Sequence, residues 1–294
     1  MVFLVALVVD GALAGTVYAL AALAFVIVYK ASGVINFALG EWLMLGSRLV
    51  AAGVHALGLG LAGAVAVAGG ATASMAAAFG GLVLRRMVGQ PTIALIMVTL
   101  GLGALIRGAT ALGLGGVPGG IPLPIPVDPL VVHGVPLAAG KLVAALAAGL
   151  AIAAVSWFFR ASRTGVALRA IADDRQTALT VGIDVDRHLV LTWALMGAVG
   201  VVAGTLWTVV MGGGFGVALL GLKIFPIVIL GGLDSIPGTV VAAILIGVLE
   251  SLAAGYLDPV VGGGFSSVAS YLVLLAVLLV RPCGLLGRPD PVRV

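Results

Sequence analysis

Long stretches without formal charge constrain this chain more than any other feature. Residues 49–84 hold no charged side chain apart from His55, and residues 189–211 and 259–280 hold none. A helix crosses the hydrocarbon core of a bilayer in about 20 residues, so each block is long enough to span. The chain is 62% hydrophobic and 9% charged, against about 25% charged in a typical soluble domain. It therefore lacks the polar side chains needed to coat a single water-facing core. Its 45 glycines would be costly in soluble helices, but in a bilayer they let helix backbones approach closely.

Apolar segments near 9–29, 37–56, 60–84, 91–113, 139–159, 188–211, 217–232, 237–255 and 262–280 predict an all-α, polytopic transmembrane helical bundle. Two segments are weak. The first contains Glu41 and Arg48, and the second is short and contains Pro226. Both read as broken or re-entrant elements, which sets the count at eight to ten spans in a single domain over residues 1–294. The start of the chain lacks a basic n-region and a small-residue cleavage site, so its first apolar segment reads as a retained span.

Basic residues set the orientation. Arg85 and Arg86, the run Arg160, Arg163, Arg169, Arg175 and Arg187, and the group Arg281, Arg288 and Arg293 all fall between or after spans. The positive-inside rule places these on the cytoplasmic side. The N-terminus is then expected outside and the C-terminus inside. Residues 115–134 hold five of the 13 prolines and no Lys or Arg, and proline-dense sequence resists helix. This segment is expected to be an external loop.

The net charge of +4 sits in these short clusters, so it points to membrane topology and not to nucleic acid. The one cysteine, Cys283, excludes an intramolecular disulfide and reads as a packed thiol. His55, His133 and His188 are far apart in sequence, and no metal site is expected.

The cytoplasmic segment 160–187 is the most informative stretch. Thr164 is positioned to cap a short helix running to about Ala172, with Leu168 and Ile171 on one face. Asp173 is positioned to cap a second, with Gln176 three residues on, as in a capping box. Gly182 suits a left-handed helix stop. Two short helices are expected, joined near Arg169, Asp173, Asp174 and Arg175. A solvated loop that only fixes topology would need no such caps, so a docking element for a cytoplasmic partner is the alternative to it.

Within the apolar stretches, Glu41 and Arg48 are spaced to share a helix face. A charge in hydrocarbon costs about 2.5–3.5 kcal/mol on insertion scales, and it normally faces protein or a wet cavity. Glu41 reads either as half of a structural ion pair or a polar group at the membrane interface, or as a lining residue of a translocation path. Asn36 reads either as a plain helix cap or as a side chain that satisfies freed backbone groups at a helix break. Glu250 is expected to anchor near the outer interface, and Arg107 to snorkel to an interface. Gly231, Gly232, Ser235 and Gly238 interrupt an apolar run. They read either as a tight cytoplasmic turn or as a broken helix that forms part of a substrate path.

Four blocks of sequence resemble the branched-chain amino acid ABC transporter permease family. Tyr18, Ala19, Leu20, Asn36, Phe37, Gly40 and Glu41 match its Y-A-L…N-F-x-x-G-E pattern. Arg169, Ala170, Asp174, Ala178, Gly182 and Ile183 match its ATPase-contacting loop. Gly221, Leu222, Lys223, Phe225, Gly231, Gly232, Ser235 and Gly238 match its late G-L-K-x-F…G-G-x-x-S-x-x-G element. The stretch VRPCGLLGRP resembles its R-P-x-G-L-x-G ending. The four occur in the family's order.

The resemblance implies a permease subunit of an importer for branched-chain or other hydrophobic amino acids in a prokaryotic plasma membrane. An external solute-binding protein would feed it. A second permease, a paralogue or the same chain, would complete the path. Two cytoplasmic ATPase subunits would bind ATP and drive it, with no cofactor held by this chain. The resemblance also points to the loop holding Arg169, Asp173, Asp174, Arg175, Ala178 and Gly182 as the coupling segment; Asn36, Glu41, Gly231, Gly232 and Ser235 are, from the residues themselves, the candidates for the path.

A His is common in the family before the Gly-Glu pair, where this chain has Ala38-Leu39. Urea, a short amide or another small solute is therefore an alternative cargo. A self-contained secondary transporter is the alternative of another class, but few midplane carboxylates support it. Lys30, Lys141 and Lys223, the chain's lysines, do not stand in a G-x-x-x-x-G-K-[ST] frame, so no ATPase site is expected.

Overall fold

The structure, a computed structural model, describes residues 1–87, 89–122, 129–132, 135–281 and 284–287. The thiol of Cys283, His133, Arg288, Arg293 and much of the proline-dense loop lie outside the described residues. Twelve α-helices occur among the described ones.

The chain opens with α1, Val2–Ser32, seven residues ahead of its expected start. Residues 17–28 of α1 are buried on every side, so α1 is the central helix. It packs against α5 (Ala139–Ala161), α8 (Val185–Met211) and α10 (Ile236–Tyr256). Small residues make the α1–α10 crossing possible. A Cβ placed on Gly11 would lie 2.6 Å from the Gly247 carbonyl oxygen, and one on Gly15 would lie 2.7 Å from Ile244 Cα. Bilayer helices associate through this kind of close backbone approach.

Around this centre, α3 (Leu61–Leu82) lies along α8, and α4 (Thr92–Leu114) leans on α2 (Leu39–His55). On the other flank, α9 (Leu220–Gly231) and α12 (Phe265–Val280) pack with α10. Two cytoplasmic helices, α6 (Arg163–Asp173) and α7 (Arg175–Thr180), link α5 to α8. Among the described residues, six helices are long and apolar enough to cross a bilayer. They are α1, α3 with its following 3-10 turn, α4, α5, α8 and α10.

The two weak segments are the discontinuous ones. After Gly33, in the left-handed conformation at φ 67°, the chain turns back into the bundle. The Phe37 ring stacks on Phe225 at 4.8 Å, and Phe225 meets Phe25 of α1 edge-on at 5.6 Å. Phe25 lies about two turns before the end of α1, so α2 begins level with the interior of that helix. The second break is a 3-10 turn, Phe215–Leu219, that leads into the 12-residue α9. The breaks meet where Gly40 lies against Ala218 and Gly221.

Some of the charges mark the two ends. Arg85 pairs with Asp186 at 2.8 Å at one end, where Lys30, Arg160 and Arg169 also gather. The positive-inside rule makes this end cytoplasmic. At the opposite end Lys141 holds Asp10 at 2.7 Å, and His55 Nε2 lies 2.8 Å from the Gly120 carbonyl. Two features at this outer end were not expected. One is a short antiparallel hairpin of β1 (Leu130–Val132) and β2 (Val135–Leu137); the other is α11 (Asp258–Val261).

Candidate translocation site

At the first break, Asn36 is fully buried. Its Oδ1 accepts from the Ala38 amide at 3.0 Å, satisfying a backbone group freed by the interrupted helix. The Phe37 amide donates to Thr99 Oγ1 on α4 at 3.4 Å. Asn36 Nδ2 finds no acceptor among the described residues.

Glu41 follows in the first turn of α2. It does not pair with Arg48, as spacing along one helix suggested. Its Oε1 accepts from Arg107 Nη2 of α4 at 2.8 Å. Gly103 of α4 faces the same carboxylate; a Cβ there would sit 3.4 Å from Glu41 Cδ. Glu41 lies about 20 Å below the far end of α2 at about 1.5 Å per residue. Arg107 therefore does not snorkel outward. Helical side chains lean toward their own N-terminus, and α4 runs from inside to outside, which sends the guanidinium inward to Glu41.

Arg48 has a different task. Its Nη2 donates to the carbonyls of Leu114 and Val117, the latter at 2.8 Å. The guanidinium also sits 5.1 Å from the Phe215 ring centroid. Arg48 thus caps the C-terminal carbonyls of α4, where a cation is favoured, and ties both breaks to the outer loop.

A second polar cluster lies in the bundle interior. Tyr18 Oη donates to Glu250 Oε2 at 2.8 Å, and Lys223 Nζ donates to the same oxygen at 3.0 Å. The Tyr18 ring lies 5.3 Å from that of Trp207. Glu250 is 8% exposed and bonds inside the bundle, in the outer part of α10. The reason is geometric. Helices α1 and α10 are antiparallel, and each side chain leans toward its own N-terminus, so the phenol and the carboxylate converge. A signal for this cluster was in the sequence: three polar side chains in separate apolar spans need partners.

Gly231, Gly232 and Ser235 are not at the break with Asn36 and Glu41. They form the tight cytoplasmic turn between α9 and α10, with Gly232 at φ 98° and Ser235 Oγ accepting from the Gly238 amide at 3.1 Å. The Leu285 amide closes this turn on the Leu230 carbonyl at 2.7 Å. Ser235 lines an open cytoplasmic cavity of about 1370 Å³, together with Lys30, Arg160, Arg169, Asp173 and Asp234.

Beside the cavity are the two short helices. Ser162, not Thr164, caps α6, its Oγ accepting from the Gly165 amide at 2.9 Å. Asp174, not Asp173, caps α7, accepting from the Gln176 and Thr177 amides at 2.8 and 3.1 Å. Asp173 remains helical as the last residue of α6. Gly182 takes φ 84° and stops α7. Ala178 packs with Ile171 and Val185, which seats α7 against α6 and the start of α8.

Residues 7–281 match the family described as branched-chain amino acid transport system / permease component. The chain belongs to this family. The permease is 32% identical over 304 residues to the high-affinity branched-chain amino acid transport system permease protein LivH of Escherichia coli K12, covering 97% of this chain and 96% of that one. It is 29% identical over 301 residues to the BraD permease protein of Pseudomonas aeruginosa, with the same coverage. Over 133 residues, 43% of this chain and 41% of the relative, it is 36% identical to a probable branched-chain amino acid transport permease protein LivH of Methanocaldococcus jannaschii. No solved structure matches the permease. It is a multi-pass protein of the prokaryotic plasma membrane.

Proposed function

We propose that this permease moves branched-chain or other hydrophobic amino acids inward as the membrane subunit of an ATP-driven importer. The observation that carries the reading is family membership over nearly the whole chain, joined to a capped helix pair that projects on the basic side. In this reading Asn36 and Glu41 line the path at membrane depth. Gly231, Gly232 and Ser235 shape its cytoplasmic mouth. Arg169, Asp173, Asp174, Arg175, Ala178 and Gly182 form the segment that two ATPase subunits engage. ATP is bound by those subunits and not by this chain, whose lysines lack the phosphate-loop frame. A second permease, a paralogue of this one, completes the path, and an external binding protein delivers the cargo.

The test is reconstitution of the permease with its partner permease, ATPase subunits and binding protein in liposomes. Leucine, isoleucine or valine should accumulate in the compartment facing the ATPase subunits, with ATP and binding protein both required. Uptake by the purified permease alone would sink the reading in favour of a secondary transporter.

A further inference from the structure

Arg107 presents a problem that the isolated chain does not solve. Its side chain is 55% exposed, yet it sits within α4 and points inward to a carboxylate at membrane depth. An ionised side chain inside a bilayer faces protein or water, not lipid. Helix α4 rests on the bundle through a narrow stripe formed by Thr99, Gly103, Ile106 and Thr110. The face beside Arg107 carries Ala104 and Ala111 one turn to either side, and both are exposed. The Arg107 guanidinium therefore faces protein or water.

We infer that the Glu41–Arg107 pair is a binding site for the zwitterionic head of an α-amino acid, on a water-filled path along α4. The inference rests on the reading of the chain as an amino acid permease and assigns that reading a residue, Arg107. The chemistry fits the head group. A guanidinium offers five N–H donors in a plane, and Nη2 alone is engaged by Glu41. The remaining edge suits a carboxylate, which guanidinium binds in bidentate fashion. The Glu41 carboxylate offers a second oxygen for an ammonium. Positive and negative groups thus stand side by side at the spacing of one ion pair, as the charges of an α-amino acid do.

The surroundings favour a small polar ligand over a packed protein face. The pair adjoins the helix break, where Asn36 Nδ2 is buried without an acceptor among the described residues. Glycine at position 103 brings α4 against the carboxylate and leaves no side chain above it. Such a site would hold the head group whatever the side chain, and leave selection among hydrophobic side chains to other contacts.

The test uses the reconstituted importer carrying Cys283→Ala, so that introduced cysteines are the only ones in this chain. Ala104→Cys and Ala111→Cys should react with an anionic, membrane-impermeant thiol reagent, and leucine with binding protein should slow the reaction. Glu41→Gln and Arg107→Gln should each lower maximal uptake about tenfold, equivalent to about 1.4 kcal/mol, while the importer inserts and assembles as the parent does. The exchanged pair Glu41→Arg with Arg107→Glu restores an ion pair but reverses its polarity toward the ligand, so uptake should stay low. Recovery of uptake in the exchanged pair would make the ion pair structural and overturn the site. So would inert cysteines at both positions, including the case in which they cross-link to the partner permease. If the parent importer moves no amino acid at all, the proposed function fails, while thiol labelling still decides whether the face is wet.

Discussion

Tyr18 donates its phenol hydrogen to Glu250 across the α1–α10 crossing at 2.8 Å, and Lys223 of α9 closes on the same carboxylate oxygen at 3.0 Å. One carboxylate thus joins three helices in the bundle interior. Removing one partner from such a group leaves a buried polar atom that cannot recover its hydrogen bond from water.

Tyr18→Phe should lower the stability of the permease by about 1–3 kcal/mol, the cost of an unmade buried bond. Lys223→Met should cost more, toward the lower end of about 3–5 kcal/mol, because it strands a charge that had a partner. Its side chain is 29% exposed, which moderates the loss. Adding Glu250→Met to Lys223→Met should recover much of it. Thermal unfolding of the purified permease in detergent measures all three. Equal melting temperatures for Lys223→Met and the double variant would remove the ion pair from the account.

The α1–α10 crossing makes a steric prediction. A Cβ on Gly247 would lie 2.7 Å from Gly15 Cα, and backbone cannot move aside as a flexible side chain can. Gly247→Ala should destabilise by about 1–3 kcal/mol, as overpacking does. Gly101→Ala meets nothing within 4 Å and should be tolerated. The same unfolding assay compares the two.

The outer turn responds to acid. Asp258 of α11 accepts from the Ser266 amide at 2.9 Å and from its hydroxyl at 2.8 Å. These bonds, the amide first, hold its carboxyl below the usual Asp range. A depressed native pKa means that the folded state favours the ionised form. The stabilisation is complete above the unfolded carboxyl range, about 3.9, and is lost as pH falls through the lower native value. Amide protection over 258–266, measured relative to the unstructured chain at the same pH, should therefore be full at neutral pH and fall only in strong acid. In Asp258→Ala, which removes both acceptors, protection should be low at neutral pH, and the difference from the parent should vanish in strong acid.

Sequence patterns reached the spans because apolar length is a local property. Segments 91–113 and 139–159 fall within a few residues of α4 and α5. The weak segments were legible as weak, since Glu41 and Pro226 interrupt the same hydrophobic run that defines a span. Local rules failed in two ways. Caps shifted by one or two residues, to Ser162 and Asp174, because several adjacent side chains can accept the same amides and packing of Ile171, Ala178 and Val185 chooses among them. Partners chosen along one helix were wrong for Glu41 and Arg48, because both reach α4, and no spacing within α2 reveals which helix lies beside it.

The coupling segment yields the most direct test of mechanism. Helix α7 is six residues long, too short to persist by itself. Its shape depends on the Asp174 cap and on Ala178, which is 2% exposed against Ile171 and Val185. A short helix transmits a push from an ATPase subunit only while it keeps that shape. Asp174→Ala removes a cap that contributes about 1 kcal/mol, and Ala178→Pro removes an amide bonded to the Asp174 carbonyl at 3.0 Å. Neither change touches a membrane span. Both variants should insert and assemble normally and retain basal ATP hydrolysis. They should lose binding-protein-stimulated hydrolysis and uptake together, Ala178→Pro more severely because it breaks the helix instead of loosening its end. Asp174→Asn, which can still accept from the Gln176 and Thr177 amides, should behave close to the parent. If Ala178→Pro assembles and transports at the parent rate, α6 and α7 are a connector that fixes topology, and force enters the permease elsewhere.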